Sequence, residues 1–130
     1  MSARILIVDD EDIVVRSCLR ILAGADYDVD VARGGAEALK KIDETPYDVL
    51  VVDIMMPQID GLEVLKHAKQ ARPDSEVIIF TGLSQSETAL RARELGAFGY
   101  LPKPFEPDEI RLLIAQALAK RRARGERPAQ

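Results

Sequence analysis

Cysteine is nearly absent from this chain of 130 residues, because Cys18 is the only one. A single thiol cannot form an intramolecular disulfide, so no such cross-link can stabilise the fold. Cys18 also falls in a predicted helical stripe of apolar residues, which makes it a core residue. We therefore expect a reducing compartment, and the cytoplasm is the simplest one.

Long apolar runs and long basic runs are lacking as well. No stretch approaches the roughly 20 apolar residues that a membrane helix needs, and the amino terminus has no charged region followed by a long apolar segment. No long basic run occurs before Lys120, and the formal net charge is −4, which argues against a nucleic-acid surface on the folded part. We expect a soluble, unexported chain that binds neither membrane nor nucleic acid directly.

The apolar residues that are present alternate between two patterns. Short, uniformly apolar runs typical of buried strands alternate five times with segments in which apolar residues recur at helical spacing. With 47% hydrophobic residues, the chain can bury one core. Strict alternation predicts a parallel sheet with helices on both faces. The predicted strands end at Val8, Ala32, Asp53, Thr81 and Leu101. The first predicted helix ends at Gly24, the second begins at Gly34, and the third spans Gly61 to Ala71. The fourth runs from a capping box at Ser84 to Gly96, and the fifth begins near Pro107.

The end of the chain differs in composition from the rest. From Lys120 to Gln130 the sequence is polar, basic and without a helical pattern. We therefore expect one domain over residues 1–119, followed by a flexible basic tail or the start of a linker over residues 120–130.

Charged and hydroxyl side chains stand where the predicted strands end. Asp9 and Asp10 follow the first strand, Asp53 ends the third, Thr81 ends the fourth, and Lys103 follows the fifth. In an open parallel sheet, ligands bind beyond the carboxyl ends of the strands. Carboxylates gathered there repel one another unless a hard divalent cation neutralises them. The sequence therefore predicts an acidic cation site with one hydroxyl and one ammonium beside it.

Four motifs in register resemble the receiver domain of two-component response regulators. They are ILIVDDE (residues 5–11), DIMMPQIDG (53–61), FTG (80–82) and GAFGYLPKPF (96–105). The resemblance covers about Arg4 to Ala119 and implies a flavodoxin-like (βα)5 doubly wound α/β fold with a parallel sheet of order 2-1-3-4-5. The last motif looks more like receivers of the nitrogen-regulatory class. Those normally precede an ATPase module, yet this chain has no G-x-x-x-x-G-K-[ST] loop.

The resemblance implies a role for each site residue. Asp53 would be the nucleophile that accepts a phosphoryl group as an acyl phosphate. Lys103, aimed inward by a cis bond to Pro104, would pair with Asp53 before transfer and with a phosphoryl oxygen afterwards. Thr81 would be the switch hydroxyl, and Tyr100 the switch aromatic that moves into the space Thr81 vacates. Taken singly, each residue also has an ordinary structural explanation, such as a loop acid, a surface lysine or a strand residue that packs well.

The implied cofactor is Mg²⁺, with four ligands from the chain: Asp9, Asp10, Asp53 and the backbone carbonyl of Met55. A simpler interpretation of the acidic run at residues 9–12 is that it caps the first helix, where negative charge is favourable. Both can hold if Asp12 or Glu11 caps the helix and the aspartates before them bind the metal.

The resemblance also implies two kinds of partner in a bacterial signalling pathway. A sensor histidine kinase or a histidine phosphotransfer protein would donate the phosphoryl group. An output domain or protein would bind the face made by the fourth helix, fifth strand and fifth helix. A charge-locked dimer through that face is not expected, because Ala89 and Phe98-Gly99 occupy the places of its usual basic and acidic residues.

Two alternatives remain. A small phosphatase of the haloacid dehalogenase type also uses an aspartyl phosphate, but it needs an acid two residues after its nucleophile, where this chain has Met55. A degenerate receiver would bind a partner without phosphorylation, and the presence of all five site residues argues against it. The favoured function is a switch that catalyses its own phosphorylation and dephosphorylation, not an enzyme acting on another substrate.

Overall fold

Strands and helices alternate without exception along the computed structural model, which describes residues 2–81 and 86–125. Apart from the end of the fifth helix, the predicted bounds lie within two residues of those observed. The strands are β1 (Ala3–Val8), β2 (Tyr27–Ala32), β3 (Val49–Asp53), β4 (Glu76–Thr81) and β5 (Gly99–Pro102). The helices are α1 (Asp12–Leu22), α2 (Gly35–Glu44), α3 (Gly61–Ala71), α4 (Ser86–Glu94) and α5 (Pro107–Gly125).

The strands form one parallel sheet in the order β2-β1-β3-β4-β5, which confirms the predicted topology. Strand β3 lies in the middle, and all five of its residues are buried. Val8 of β1 pairs with Val52, and Asp53 pairs with Phe80 of β4. The carboxyl ends of these three strands therefore lie side by side at one edge of the sheet.

Two apolar clusters cover the two faces of the sheet. Alternate residues of a strand point to opposite faces, so Leu6 and Val8 join the cluster under α2 and α3, whereas Ile5 and Ile7 join the cluster under α1 and α5. Cys18 is buried in the second cluster, as predicted. Burial raises the pKa of its thiol to about 12, so Cys18 stays protonated and serves as a core residue.

Helix α3 begins immediately against the end of β3. The Asp60 carboxylate caps the helix by accepting a hydrogen bond from Glu63 N at 3.0 Å. The next residue is Gly61, where a Cβ atom would lie 2.6 Å from Ile54 Cα and against the carbonyl oxygen of Asp53. Only glycine lets the helix approach this closely, and the approach holds the loop after Asp53 against the sheet.

Helix α5 is longer than the sequence pattern predicted. We expected flexibility from Lys120, but the helix continues to Gly125. Two ion pairs explain the difference: Lys120 Nζ lies 3.2 Å from Oε2 of the buried Glu76, and Arg121 Nε lies 3.2 Å from Asp48 Oδ1. The division into residues 1–119 and 120–130 stays a prediction, and residues 126–130 lie outside the described ranges.

The start of α4 was predicted from a capping box over residues 84–87. Ser84 and Gln85 lie outside the described residues, and the helix is described from Ser86 onward. Within the described part of the chain, none of the helices combines the length and apolar character that crossing a membrane requires.

Candidate functional site

Three carboxylates meet at the edge where β1 and β3 end. Asp9 and Asp10 follow β1, Asp53 ends β3, and each can place one oxygen within 4.8 Å of the others. Asp9 and Asp53 are buried, while Asp10 is exposed to solvent. The three acids predicted at this edge are thus brought together, two in the floor of the site and one at its opening.

Backbone hydrogen bonds hold the two buried carboxylates in place. Asp9 Oδ1 accepts a hydrogen bond from Glu11 N at 2.9 Å, and Asp53 Oδ1 accepts one from Met55 N at 3.1 Å. The second oxygen of Asp9, Oδ2, is buried and has no hydrogen-bond partner. Each carboxylate is therefore oriented through one oxygen and keeps the other for a charged group.

Lys103 places its ammonium among these oxygens. Its Nζ lies 3.0 Å from Asp9 Oδ2, without hydrogen-bond geometry, and 3.4 Å from Asp53 Oδ2. The predicted contact with Asp53 is present but is longer than the Asp9 contact. The Lys103–Pro104 peptide bond is cis, as the resemblance implied. The ring centroids of Phe80 and Phe105 lie 5.0 Å apart, and Lys103 Nζ lies 5.8 Å from the centroid of the Phe80 ring, so a stacked aromatic pair packs beside the lysine.

Sequence reasoning missed Glu11 as a site residue. Lys103 Nζ donates a hydrogen bond to Glu11 Oε1 at 3.0 Å. Glu11 was considered as a cap of α1, and it does occupy the N-cap position, but its side chain makes no capping hydrogen bond. Asp12 instead pairs with Arg16 at 2.8 Å and with Arg33. An acid directly after the Asp pair was the available signal in the sequence.

Burial and neighbouring charges move the pKa values of the central pair. Burial raises the pKa of Asp53 to about 6, and the negative charge of Asp9 acts in the same direction. The Lys103 ammonium and the Met55 N–H lower this pKa without offsetting burial. Burial alone would lower the pKa of Lys103, but its contacts with Glu11, Asp9 and Asp53 outweigh burial and raise it. The ammonium therefore stays charged at neutral pH.

The donor set fits a hard divalent cation. Asp9, Asp10 and Asp53 offer carboxylate oxygens, and the single Lys103 ammonium cannot neutralise three negative charges. Asp9 Oδ2, a buried acceptor without a hydrogen bond, is the kind of atom that a cation would satisfy. Oxygen ligands of this type are those that Mg²⁺ prefers. The Met55 carbonyl stays a prediction, and the Met55 side chain is exposed.

The two predicted switch residues are described to different extents. Thr81 ends β4 and pairs with Pro102 of β5, but its side chain lies outside what the structure describes. Tyr100, on β5, keeps 41% of its surface exposed. A cavity of about 50 Å³ lies beside it, lined by Ala89 and Ala92 of α4 among others. The aromatic ring therefore lies at the surface between α4 and β5 in this conformation.

The sequence matches a known protein family over most of its length. The model of the response regulator receiver domain matches residues 5–115. The chain belongs to this family. It is a receiver domain of two-component systems, and the match covers the whole acidic site together with Lys103.

Its relatives include regulators of the class suggested by the last motif. NtrC, a DNA-binding transcriptional regulator of Escherichia coli strain K12, is 42% identical over 120 residues, which are 92% of this chain and 26% of NtrC. The resemblance to the nitrogen-regulatory class is thereby confirmed. The chain spans about a quarter to about half the length of the curated relatives it matches.

Solved structures agree with the fold. A CheY-like receiver domain protein from Methanospirillum hungatei superposes with a TM-score of 0.92 at 31% identity, over 95% of this chain and 99% of that one. The receiver domain of DrrB activated with BeF3 superposes with a TM-score of 0.85 at 31% identity, over 92% and 99%. The flavodoxin-like fold is confirmed.

Proposed function

We propose that Asp53 accepts a phosphoryl group from the phosphohistidine of a sensor histidine kinase or of a histidine phosphotransfer protein. The observation that carries the proposal is the placement of its carboxylate. Asp53 lies buried at the end of the central strand, in reach of Asp9 and Asp10, with an ammonium 3.4 Å away. A phosphoryl acceptor needs an oriented nucleophile and positive charge near the transferred oxygens, and both are present.

The transfer uses Oδ2 of Asp53, the oxygen that does not accept the hydrogen bond from Met55 N. Because Oδ1 is held by the Met55 N–H, Oδ2 is the oxygen that attacks phosphorus. A P–O bond forms to Asp53 as the P–N bond to the donor imidazole breaks, and the imidazole leaves with the bonding electron pair. Lys103, already next to Oδ2, then pairs with a phosphoryl oxygen as a point charge.

Asp9, Asp10, Asp53 and the Met55 carbonyl would hold Mg²⁺. When bound, this cation supplies positive charge that offsets both the carboxylates and the phosphoryl oxygens. The chain's own contribution is to orient the buried oxygens of Asp9 and Asp53 through the Glu11 and Met55 amides.

Phosphorylation of Asp53 would change the shape of the surface that binds the output partner. Thr81 would turn toward the phosphoryl group and Tyr100 would move inward, which changes the face of α4, β5 and α5 and so the binding of an output domain or protein. The protein would act in the cytoplasm and contact no nucleic acid or membrane itself. It would catalyse the phosphorylation and dephosphorylation of its own Asp53 and act on no separate substrate.

A phosphatase of the haloacid dehalogenase type fits less well. Met55, two residues after the proposed nucleophile, carries an exposed thioether where that chemistry needs an acid. A degenerate receiver would not require three neighbouring carboxylates whose mutual repulsion lowers stability, and this chain has all three.

Labelling with acetyl phosphate and Mg²⁺ tests the proposal. Intact-mass spectrometry should show one added phosphoryl group on the wild type and none on Asp53→Ala. Asp43→Asn serves as the control, because Asp43 is an exposed carboxylate on α2 outside the cluster. It should label like the wild type, whereas full labelling of Asp53→Ala would exclude Asp53 as the acceptor.

A further inference from the structure

The Lys103 ammonium is held beside Asp53 and has closer contacts elsewhere. Its Nζ lies 3.0 Å from Glu11 Oε1 with hydrogen-bond geometry, and 3.4 Å from Asp53 Oδ2. Ninety-two positions of sequence separate Glu11 from Lys103. The contact therefore depends on how the start of α1 faces the loop after β5.

The backbone of Glu11 is fixed independently of this contact. Glu11 N donates to Asp9 Oδ1, and Glu11 O accepts the first hydrogen bonds of α1 from Val14 N and Val15 N. A residue at the N-cap would ordinarily use its side chain to cap the helix. Glu11 does not, so its carboxylate is available to Lys103.

The ion pair between Glu11 and Lys103 is weak enough to be broken when a phosphoryl group binds. The Glu11 side chain is 57% exposed, and ion pairs with an exposed partner contribute little to stability. Asp9 and Asp53, by contrast, are buried, and their charges act on the lysine through a medium of lower dielectric. An incoming phosphoryl group can therefore displace the Glu11 carboxylate from the ammonium at small cost.

We propose that Glu11 is a positioning residue for phosphoryl transfer. Together with Asp9, its carboxylate holds the Lys103 ammonium 3.4 Å from Asp53 Oδ2 in the resting protein. Glu11 then releases the ammonium when the phosphoryl group binds. The inference rests on the proposed function, in which Asp53 is phosphorylated and Lys103 binds the product.

The proposal has a thermodynamic consequence. An interaction made only in the resting state opposes the occupied state by its own net strength. Removing the Glu11 carboxylate should therefore tighten binding of beryllofluoride, a phosphoryl analogue, to Asp53. For an ion pair in which one partner is half exposed, we expect about a threefold lower dissociation constant.

The experiment compares four proteins by titration with beryllofluoride at a Mg²⁺ concentration that saturates each of them. Glu11→Ala removes the carboxylate. Glu11→Asp keeps the charge but shortens its reach by one methylene. Asp12→Ala is the matched control, since it removes a carboxylate from the next position, which pairs with Arg16 and Arg33 and not with Lys103.

The pattern among the variants decides the matter. Tighter binding by both Glu11 variants, with Asp12→Ala unchanged, supports positioning through the contact. If Glu11→Asp behaves like the wild type, or if Asp12→Ala tightens binding equally, the carboxylate acts only through its charge and the inference is wrong. Unchanged binding by Glu11→Ala overturns it as well.

Failure of the proposed function gives a different result. Asp53→Asn should abolish beryllofluoride binding. A wild type that does not bind the analogue, or binds it equally well as Asp53→Asn, would contradict the phosphoacceptor role itself. Thermal unfolding of each variant checks that the fold is intact.

Discussion

Asp53 combines two demands that oppose each other. The nucleophile that we propose Asp53 to be must be ionised, whereas the buried position that orients it favours the neutral acid. The pKa of about 6 shows the compromise: the carboxylate is mostly ionised at neutral pH but at a cost to the fold. Lys103 and the Met55 N–H keep that cost from being larger.

This cost should be visible in the pH dependence of stability. Because the pKa of Asp53 is raised by folding from 3.8 to about 6, the native state binds more protons in that window and stability falls as pH rises through it. A rise of about two units corresponds to about 3 kcal/mol. In metal-free buffer, Asp53→Asn should be more stable than the wild type at pH 8 by up to that amount.

Urea unfolding between pH 4 and pH 8 with a chelator measures the difference, which should fall to about 0.5 kcal/mol at pH 4. A difference that stays constant with pH would mean that Asp53 ionisation is not its cause.

At the scale of elements, the parallel alternation made most of this site predictable. Strand ends of a parallel sheet must share an edge, so Asp9, Asp10 and Asp53 could be placed together before any coordinates. The partnership of Glu11 with Lys103 could not, because it depends on the distance between a helix start and a loop remote in sequence. Nor could the end of α5, because Glu76 resembles a surface charge at the start of a strand and its burial appears only in the folded protein.

The last turns of α5 should depend on that buried charge. Glu76 is 1% exposed, with Lys69 Nζ at 3.5 Å and Lys120 Nζ at 3.2 Å. Lys120→Met leaves the carboxylate with Lys69 and should lower the free energy of unfolding by about 1–2 kcal/mol. It should also speed amide hydrogen exchange after residue 118.

The exposed Arg122 provides the comparison on the same helix. Arg122→Met should change the free energy of unfolding by no more than about 0.5 kcal/mol and should leave amide hydrogen exchange after residue 118 unchanged. Equal effects of the two substitutions would show that general helix electrostatics, not the contact with Glu76, maintains the end of α5.

At the scale of the whole molecule, the acidic site lies at the sheet edge between two separate cores. Each core is apolar and buried, so the fold can tolerate the repulsion of three carboxylates in one place. A cation that binds only the folded state adds to stability by mass action.

Magnesium should therefore raise the melting temperature. At a hundred times the dissociation constant the gain is about 2.7 kcal/mol, or about 10 °C for a domain of this size. Asp10→Asn should show a markedly smaller rise, and Asp43→Asn the same rise as the wild type. Scanning calorimetry at constant ionic strength measures this, and equal shifts for Asp10→Asn and wild type would exclude Asp10 as a ligand.

The close approach of Gly61 to β3 restricts how this sequence can drift. A side chain of any chemistry at position 61 meets the backbone of Asp53 and Ile54, so hydrophobic and polar replacements are equally barred. Exposed apolar positions such as Ile13 and Leu112 have no such limit. Position 61 therefore accepts only glycine for a purely geometric reason, and replacing this glycine would push α3 away from the end of β3 without changing a single charged residue.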